Sequence, residues 1–440
     1  MSGFKQVYMA PFLYKILAGT VLIIFAFMLL WVKGNKNIPF IEYVLYTFPF
    51  ISITLLPSIG YPTIFDITTF TFLLFFYRPR STTGVSLKKY GYLLILFFIS
   101  LLFGGIGAES ISYDTMPDLV QLICVFSFVK IVFDEIVLDP LLFDRIVQLL
   151  NTAIFLSILF LICQFIFGPQ FSFDKTANVN VLQGNNIRFP SFFQDPQKYA
   201  QFLSAGFFVS LIQTKARNSI KSTFYILPIT ILAALLFSGG RAGLLGLILG
   251  VGLIVLLGNS RYRIAIIIAA IAIALVSSQY AAQMSIFNRE STVSDAYEFR
   301  FEIWKDAFEI FKAHPFFGIG IGNYAAYVSI HNPDQYWVAS NVYTAYDHPE
   351  SGYLKLLTEY GLIGFVLFFS MILYPVIKGV QYYLKHKDYT SLLLIAAILS
   401  WMVGFTTVYS LSDSRIAVYI AIIVTLLIIR YKVNLLNEPI

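Results

Sequence analysis

A chain of 440 residues that is 58% hydrophobic and only 12% charged, with a mean hydropathy of +0.76, carries too little charge to cover the surface of a soluble protein of that length. Its apolar residues fall into repeated runs of about 18 to 22, the length that crosses a hydrocarbon core as a helix. One all-α polytopic membrane bundle is therefore predicted, and a row of soluble domains is excluded.

The formal net charge of +6 comes with no basic stretch longer than a short loop, so nucleic acid is not an expected partner. Cys124 and Cys163 both lie inside apolar runs, which suggests neither a disulfide framework nor a thiolate metal site. The first apolar run is long and no small-residue cleavage site follows it, so it reads as a span and not as a cleaved signal.

In chain order, spans are predicted over roughly 13–32, 39–56, 62–77, 91–107, 118–137, 146–167, 197–214, 223–238, 241–258, 264–280, 352–375, 391–408 and 416–430. The expected total is about 12 to 14 transmembrane helices, with the side of residue 1 left open. Lys and Arg gather in 77–90, 215–221, 259–263, 378–387 and 430–432, all on one side by this count. The positive-inside bias makes that side the cytoplasm. Loop 108–118 has no Lys or Arg and falls outside. The chain thus divides into N-terminal transmembrane helices over 1–280 (with an outer loop at 168–196), a periplasmic loop with an amphipathic helix over 281–351, and C-terminal transmembrane helices over 352–440.

Several polar residues stand out against this background. Arg241 follows Ser238-Gly239-Gly240 and opens an apolar run. A cation beside bare backbone N–H groups at a helix N-terminus suits an anion, while snorkelling to the interface would explain it equally well. The outer segment 281–351 holds His314, His331 and His348. Phe301, Trp304, Phe308 and Phe311 recur there at helical spacing, as expected of an amphipathic helix on the membrane surface; a structural cap over the bundle is the plainer alternative. Arg300 sits on that helix. Gly318, Gly320 and Gly322 read as a flexible turn after it, and no βαβ unit surrounds them to make a nucleotide fingerprint. His348 and Glu350 lead into a span carrying Glu359, Gly361 and Gly364. Asp66, Lys130, Asp134 and Glu135 are expected to pair within the bundle or near its cytoplasmic ends, and His314 to cap the outer helix.

Taken in order, S-G-G-R-A-G, then R-x-x-x-W-x-x-A-x-x-x-F-x-x-H-P-x-x-G-x-G-x-G, then [HE]-x-x-x-x-x-L-x-x-E-x-G-x-x-G resembles the O-antigen ligase and polymerase superfamily. RFPSFFQDPQKYAQFL (188–203) looks like the family's F-x-[DN]-P segment. The motifs cover about residues 185 to 370. The resemblance implies an integral glycosyltransferase, without a cofactor, on the outer face of a bacterial inner membrane. It would take glycan from undecaprenyl pyrophosphate, with Arg241 and Arg300 binding the pyrophosphate. Arg188, Trp304 and Tyr324 are candidate donor or acceptor contacts. Where ligases keep a His-Asn pair this chain has Glu350 and Ser351, so both His348 and Glu350 stand as the catalytic base. No D-x-D motif or carboxylate cluster requires a metal. Repeat-unit polymerase for O-antigen, capsule or exopolysaccharide is the leading function, with ligase as the alternative and glycolipid transporter below it. Expected partners are the lipid-linked oligosaccharide and membrane lipid, and a chain-length regulator is compatible with them. A transporter would place its charges at the midplane within repeated halves; here they gather on one face.

Overall fold

The computed structural model describes residues 38–54, 62–78, 87–109, 112, 114–168, 171, 182–183, 186–214, 221–258, 293–331, 336–339, 342–345 and 348–433. The spans expected over 13–32 and 264–280 lie outside these residues. The described residues form thirteen α-helices and two small antiparallel hairpins, an all-α membrane bundle.

The first group is α1 (Phe40–Tyr46), α2 (Ile64–Phe75), α3 (Lys88–Ile106), α4 (Thr115–Leu138) and α5 (Leu142–Phe167). The hairpin β1 (Leu182–Gln183) and β2 (Asn186–Ile187) leads to α6 (Pro196–Ser210), α7 (Lys221–Ser238) and α8 (Arg241–Leu257). The long outer segment holds α9 (Val293–Ala313), α10 (Tyr324–His331) and the hairpin β3 (Tyr336–Ala339) and β4 (Val342–Ala345), in which Tyr336 pairs with Ala345. The chain closes with α11 (Gly352–His386), α12 (Tyr389–Gly404) and α13 (Ser414–Val433).

Among the described residues α3, α5, α11 and α13 are long and apolar enough to cross a membrane, and α2, α8, α12 and Ile226–Ser238 of α7 are shorter apolar helices. Their outer faces fit lipid: Ile106 is 82% exposed and Leu256 is 74% exposed, and a soluble monomer rarely leaves so continuous an apolar surface bare. The span expected over 39–56 is different. There α1 has seven residues and is followed by a 3-10 turn (Phe48–Phe50), because Pro49 has no N–H with which to continue the helix.

Every residue of α13 from Ser414 to Ile429 is buried, as a helix that is apolar on all its faces beyond Arg415 must be. Beside it, α8 packs on α6 and α12 with almost no side chain between them. A Cβ at Gly243 would lie 2.7 Å from the Ala200 carbonyl oxygen, and one at Gly246 would lie 2.3 Å from that of Ser400. The glycines of RAGLLGLILG thus let backbones touch, which is how helices associate in a solvent that gives apolar side chains no advantage.

The charges inside α4 are all used. Asp134 takes a bond from Tyr77 Oη (2.7 Å) and pairs with Lys130. Glu135 accepts the N–H groups of Phe40 (2.7 Å) and Ile41 (3.1 Å), closing the open start of α1.

α11 breaks at Gly361, whose φ of 62° and ψ of −177° no other residue adopts readily. The break frees four backbone groups: the carbonyls of Thr358 and Glu359 and the N–H groups of Leu362 and Ile363. Segment 315–320 takes all four. Leu362 N donates to Pro315 O (2.8 Å) and Ile363 N to Phe316 O (3.1 Å), while Ile319 N donates to Thr358 O (3.0 Å) and Gly320 N to Glu359 O (3.0 Å). Irregular backbone near the membrane persists only when satisfied in this way.

The turn at Gly318, Gly320 and Gly322 was expected to be flexible, and the structure corrects this. All three have positive φ, and a Cβ would meet the backbone of Glu359 at 2.5 Å from Gly318 and that of Asp114 at 2.7 Å from Gly322. Asn323 completes the lock, accepting from Ser112 N and Thr115 Oγ1, both at 2.9 Å. The glycines are there because four strands of backbone cross at van der Waals distance.

The two ends of the bundle differ in character. Segments around 112–118, 188–195, 315–324, 348–351 and 410–415 meet at one end through the contacts given above and below. Glu42–Arg145, Asp388–Arg430 and the lysines of α3 and α13 mark the other.

Candidate active site

Arg188 follows β2 and is 1% exposed. Its Nε donates to Ser238 O (3.3 Å) at the last residue of α7, and Phe189 N holds Phe237 O (3.3 Å) alongside. Its Nη2 is buried without a hydrogen-bond partner. Burial pulls its pKa below the ordinary arginine value; Arg300 and Arg241 act in the same direction, and Asp195 opposes them. Three guanidinium groups from three separate elements therefore share one electrostatic neighbourhood.

Arg241 is the first residue of α8, with Gly240 as N-cap. A cation at that place adds to the positive end of the helix dipole, and the combination favours an anion there. The preceding Gly239 has φ +67°, and a Cβ on Gly240 would lie 2.2 Å from that of Ala200, so bulkier residues would not fit this turn. Asp195 N-caps α6 through Gln197 N, with Pro196 as the first helical residue, and so faces Arg188 from a fixed position.

Arg300, on α9, reaches Glu350: Nη2 lies 3.3 Å from Oε2, and both side chains are about 30% exposed, at 30% and 29%. Glu350 has φ +48°, a left-handed conformation uncommon outside glycine. It immediately precedes Ser351, whose Oγ accepts from Leu354 N (3.4 Å) as N-cap of α11. His348 is half-buried two residues earlier. The structure thus brings together Arg188, Arg241, Arg300 and Glu350 from positions spread over more than a third of the chain.

Residues 226–369 match the family model described as O-antigen ligase. That segment, about a third of the chain, is similar to the O-antigen ligase family. The chain is also 23% identical to the teichuronic acid biosynthesis protein TuaE of Bacillus subtilis (strain 168) over 270 residues, 57% of this chain and 54% of that protein. The chain therefore spans about half the length of the curated relative that it matches.

The matched segment contains Arg241, Arg300, the break in α11 and both candidate bases, while Arg188 precedes it. Within it Trp304 lies one turn beyond Arg300 on the same face of α9, 37% exposed. The buried face of α9 is Ile303, Ala307 and Ile310; Phe301 (68% exposed) and Phe308 (46%) point outward with Trp304. The aromatic stripe is thus the outer face of the helix, as an interfacial helix requires. Tyr324 lies inside the cap at 1% exposure, packed with Ala307, Ile310, Ile319 and Val328, so its ring does not face an open site. His314 follows the last residue of α9 and meets Tyr327 Oη at 3.4 Å.

Two parts of the site had no signal in the residue motifs. Arg415 and Asp413 form a buried two-pronged pair, with Nε–Oδ1 at 2.8 Å and Nη2–Oδ2 at 2.6 Å. Arg415 also donates to Phe192 O and lies 4.9 Å from the Phe193 ring centre, clamping the Arg188 segment to α13. At the foot of α11, Lys355 Nζ lies 3.0 Å from Glu359 Oε1 and 3.8 Å from Asp118, and the same Glu359 oxygen accepts Tyr324 N (3.3 Å). The polar S-D-S-R run after an apolar span is the only local hint of the first. For the second, Glu359 is in the motif, but its partners come from distant segments.

Proposed function

We propose that this protein is a polysaccharide polymerase of the bacterial inner membrane, with its arginine end facing the periplasm. It transfers glycan from undecaprenyl pyrophosphate to the end of another lipid-linked repeat unit. The observation that carries this reading is the convergence of Arg188, Arg241 and Arg300 at one end of the bundle, with Glu350 against Arg300. A pyrophosphate has the charge and the oxygen geometry that arginine forks match.

In the proposed reaction an acceptor hydroxyl oxygen bonds to the anomeric carbon of the donor sugar. The bond from that carbon to the phosphate oxygen breaks, its electron pair leaves with the pyrophosphate, and the hydroxyl proton passes to Glu350 or His348. Charge grows on the leaving oxygens, so cations fixed in advance stabilise the transition state more than the ground state. Arg300 would turn from Glu350 to the phosphate when donor arrives, freeing the carboxylate for the hydroxyl. Trp304, on the same face, would offer a ring to a sugar.

The second reading is a ligase passing finished glycan to lipid A-core or protein, favoured by the printed description of the matching family. The biosynthetic name of TuaE and the Glu-Ser pair at 350–351 support the polymerase. Purified protein in lipid, given one lipid-linked repeat unit, decides between them: a ladder of lengths supports the polymerase, and no extension without a second type of acceptor supports the ligase. The ladder is expected to persist in a metal chelator, because guanidinium groups supply the counter-charge. Loss of extension that added divalent cation restores would overturn that part.

A further inference from the structure

Between its cap and its break, α11 begins with a short piece of helix that is separate from the rest. Glu350 (φ +48°) and Gly361 (φ +62°) are both left-handed, and they bound residues 351–360. Backbone bonds tie this piece at each end. Gly352 N donates to Phe405 O (2.9 Å) at the start, and the carbonyls of Thr358 and Glu359 take the seam bonds at the finish. Tyr353 Oη donates to Met402 O on α12 (2.9 Å). These bonds reach α12 and the cap, and none of them reaches α4.

Lys355 supplies that link. It is 7% exposed, and its Nζ lies 3.0 Å from Glu359 Oε1 and 3.8 Å from Asp118 Oδ2 in the first turn of α4. The same Nζ lies 4.9 Å from the Tyr409 ring centre. Glu359 Oε1 also accepts the N–H of Tyr324, the first residue of α10 (3.3 Å). Its other oxygen is buried without a hydrogen-bond partner, so the carboxylate depends on Lys355 for its balance of charge.

Three buried charges are an expensive way to hold helices together, since packed apolar residues of similar volume serve stability as well or better. An ion cluster adds a single arrangement, because Nζ must sit within reach of both carboxylates. The arrangement matters at this place. Both candidate bases, His348 and Glu350, lie on the segment that enters the piece, while Arg300 sits on a separate helix 3.3 Å from Glu350.

We propose that Lys355 is a positioning residue. By pairing with Glu359 and Asp118 it sets the piece 351–360 so that the segment 348–350 meets Arg300. It acts through that segment and touches no substrate. The inference deepens the proposed function and rests on one of the two bases acting there.

K355M alone leaves two buried carboxylates facing each other and endangers the fold. The triple variant D118N/K355M/E359Q removes all three charges together, and its glutamine keeps an oxygen for Tyr324 N. Hydrogen exchange of the full-length protein, followed by mass spectrometry without substrate, gives the first readout. Amides of 348–360 should exchange faster in the triple variant than in the wild type, those of 362–386 should not, and Tm should stay within a few degrees. On a lipid-linked repeat unit its kcat should fall about 10²-fold, the usual effect of a misplacement of about 1 Å. KM and the rise in Tm with inorganic pyrophosphate should match the wild type, and K355R should keep most of the turnover. Wild-type exchange over 348–360 in the triple variant would overturn the inference. So would wild-type kcat despite faster exchange, or a loss of Tm, kcat and KM together that K355R shares. Failure of the bases themselves shows differently, as wild-type extension by both E350Q and H348A.

Discussion

Arg300 and Glu350 stand fifty positions apart in the chain and 3.3 Å apart in the structure. What joins them is the backbone seam between 315–320 and the break in α11, which fixes the end of α9 against the helix that Glu350 introduces. A proposed donor-binding cation and a proposed base are thereby held side by side before any substrate arrives.

If the arginines bind pyrophosphate, the anion alone should stabilise the protein. Burial without a partner for Nη2 makes Arg188 the group that gains most from such a ligand. Inorganic pyrophosphate at a hundred times its Kd would contribute about 2.7 kcal/mol. A rise in Tm with pyrophosphate is expected for the wild type and a much smaller one for R188Q. The same rise in both proteins would remove Arg188 from the site.

G361A should damage the site from a distance. Its φ of 62° and ψ of −177° lie in a region that costs a non-glycine residue about 1–3 kcal/mol, and the new Cβ would stand 2.4 Å from the Phe316 carbonyl. Lower Tm together with lost turnover is the expected result. G105A is the control, since a Cβ there meets nothing within 4 Å, and it should leave both unchanged.

The membrane class and most helices could be read from apolar runs because a bilayer sets their length. The span expected over 352–375 is an example, since α11 starts at Gly352. Pro49 shows where that reading stopped, since 39–56 is apolar enough to span but cannot continue as a helix. Arg241 was visible as a costly charge at the head of an apolar run and Arg300 by its place on the outer helix, while Arg188 stood out only through the family resemblance; their convergence depends on tertiary packing. The glycines of 318–322 were visible too, but a periodic glycine string does not say whether it bends freely or lies flat on another backbone. The Asp413–Arg415 pair was hidden because two adjacent charges in a loop normally face water.

Asp413 gives a pH signature. Burial pushes its carboxyl up, but Arg415 pulls it down further, and the net is a pKa below the usual carboxylate value. A depressed folded-state pKa contributes stability that is present above the unfolded value of about 3.9 and is lost as pH falls through the folded one. D413N leaves Arg415 buried and unmatched, at a cost of about 3–5 kcal/mol. The Tm gap between wild type and D413N should be wide at neutral pH and narrow below about pH 4. A gap that widens in acid would contradict the pairing.

The sidedness has its own check. Lys312, near the end of α9, and Lys385, near the end of α11, are both exposed. In intact cells an impermeant thiol reagent should label K312C and not K385C, each made in a chain lacking Cys124 and Cys163. The reverse pattern would place the arginine end in the cytoplasm.

The central claim is tested most directly by the turnover of a purified E350Q variant on a lipid-linked repeat unit, with H348A beside it. Glutamine keeps the shape and removes the charge, so donor binding should persist while chain extension falls by about 10²–10⁴-fold, the usual worth of a general base. H348A should fall less if it only positions the segment, and the order reverses if His348 is the base. Ladders formed at wild-type rate by both variants would contradict the account, because neither candidate base would then take part in the transfer.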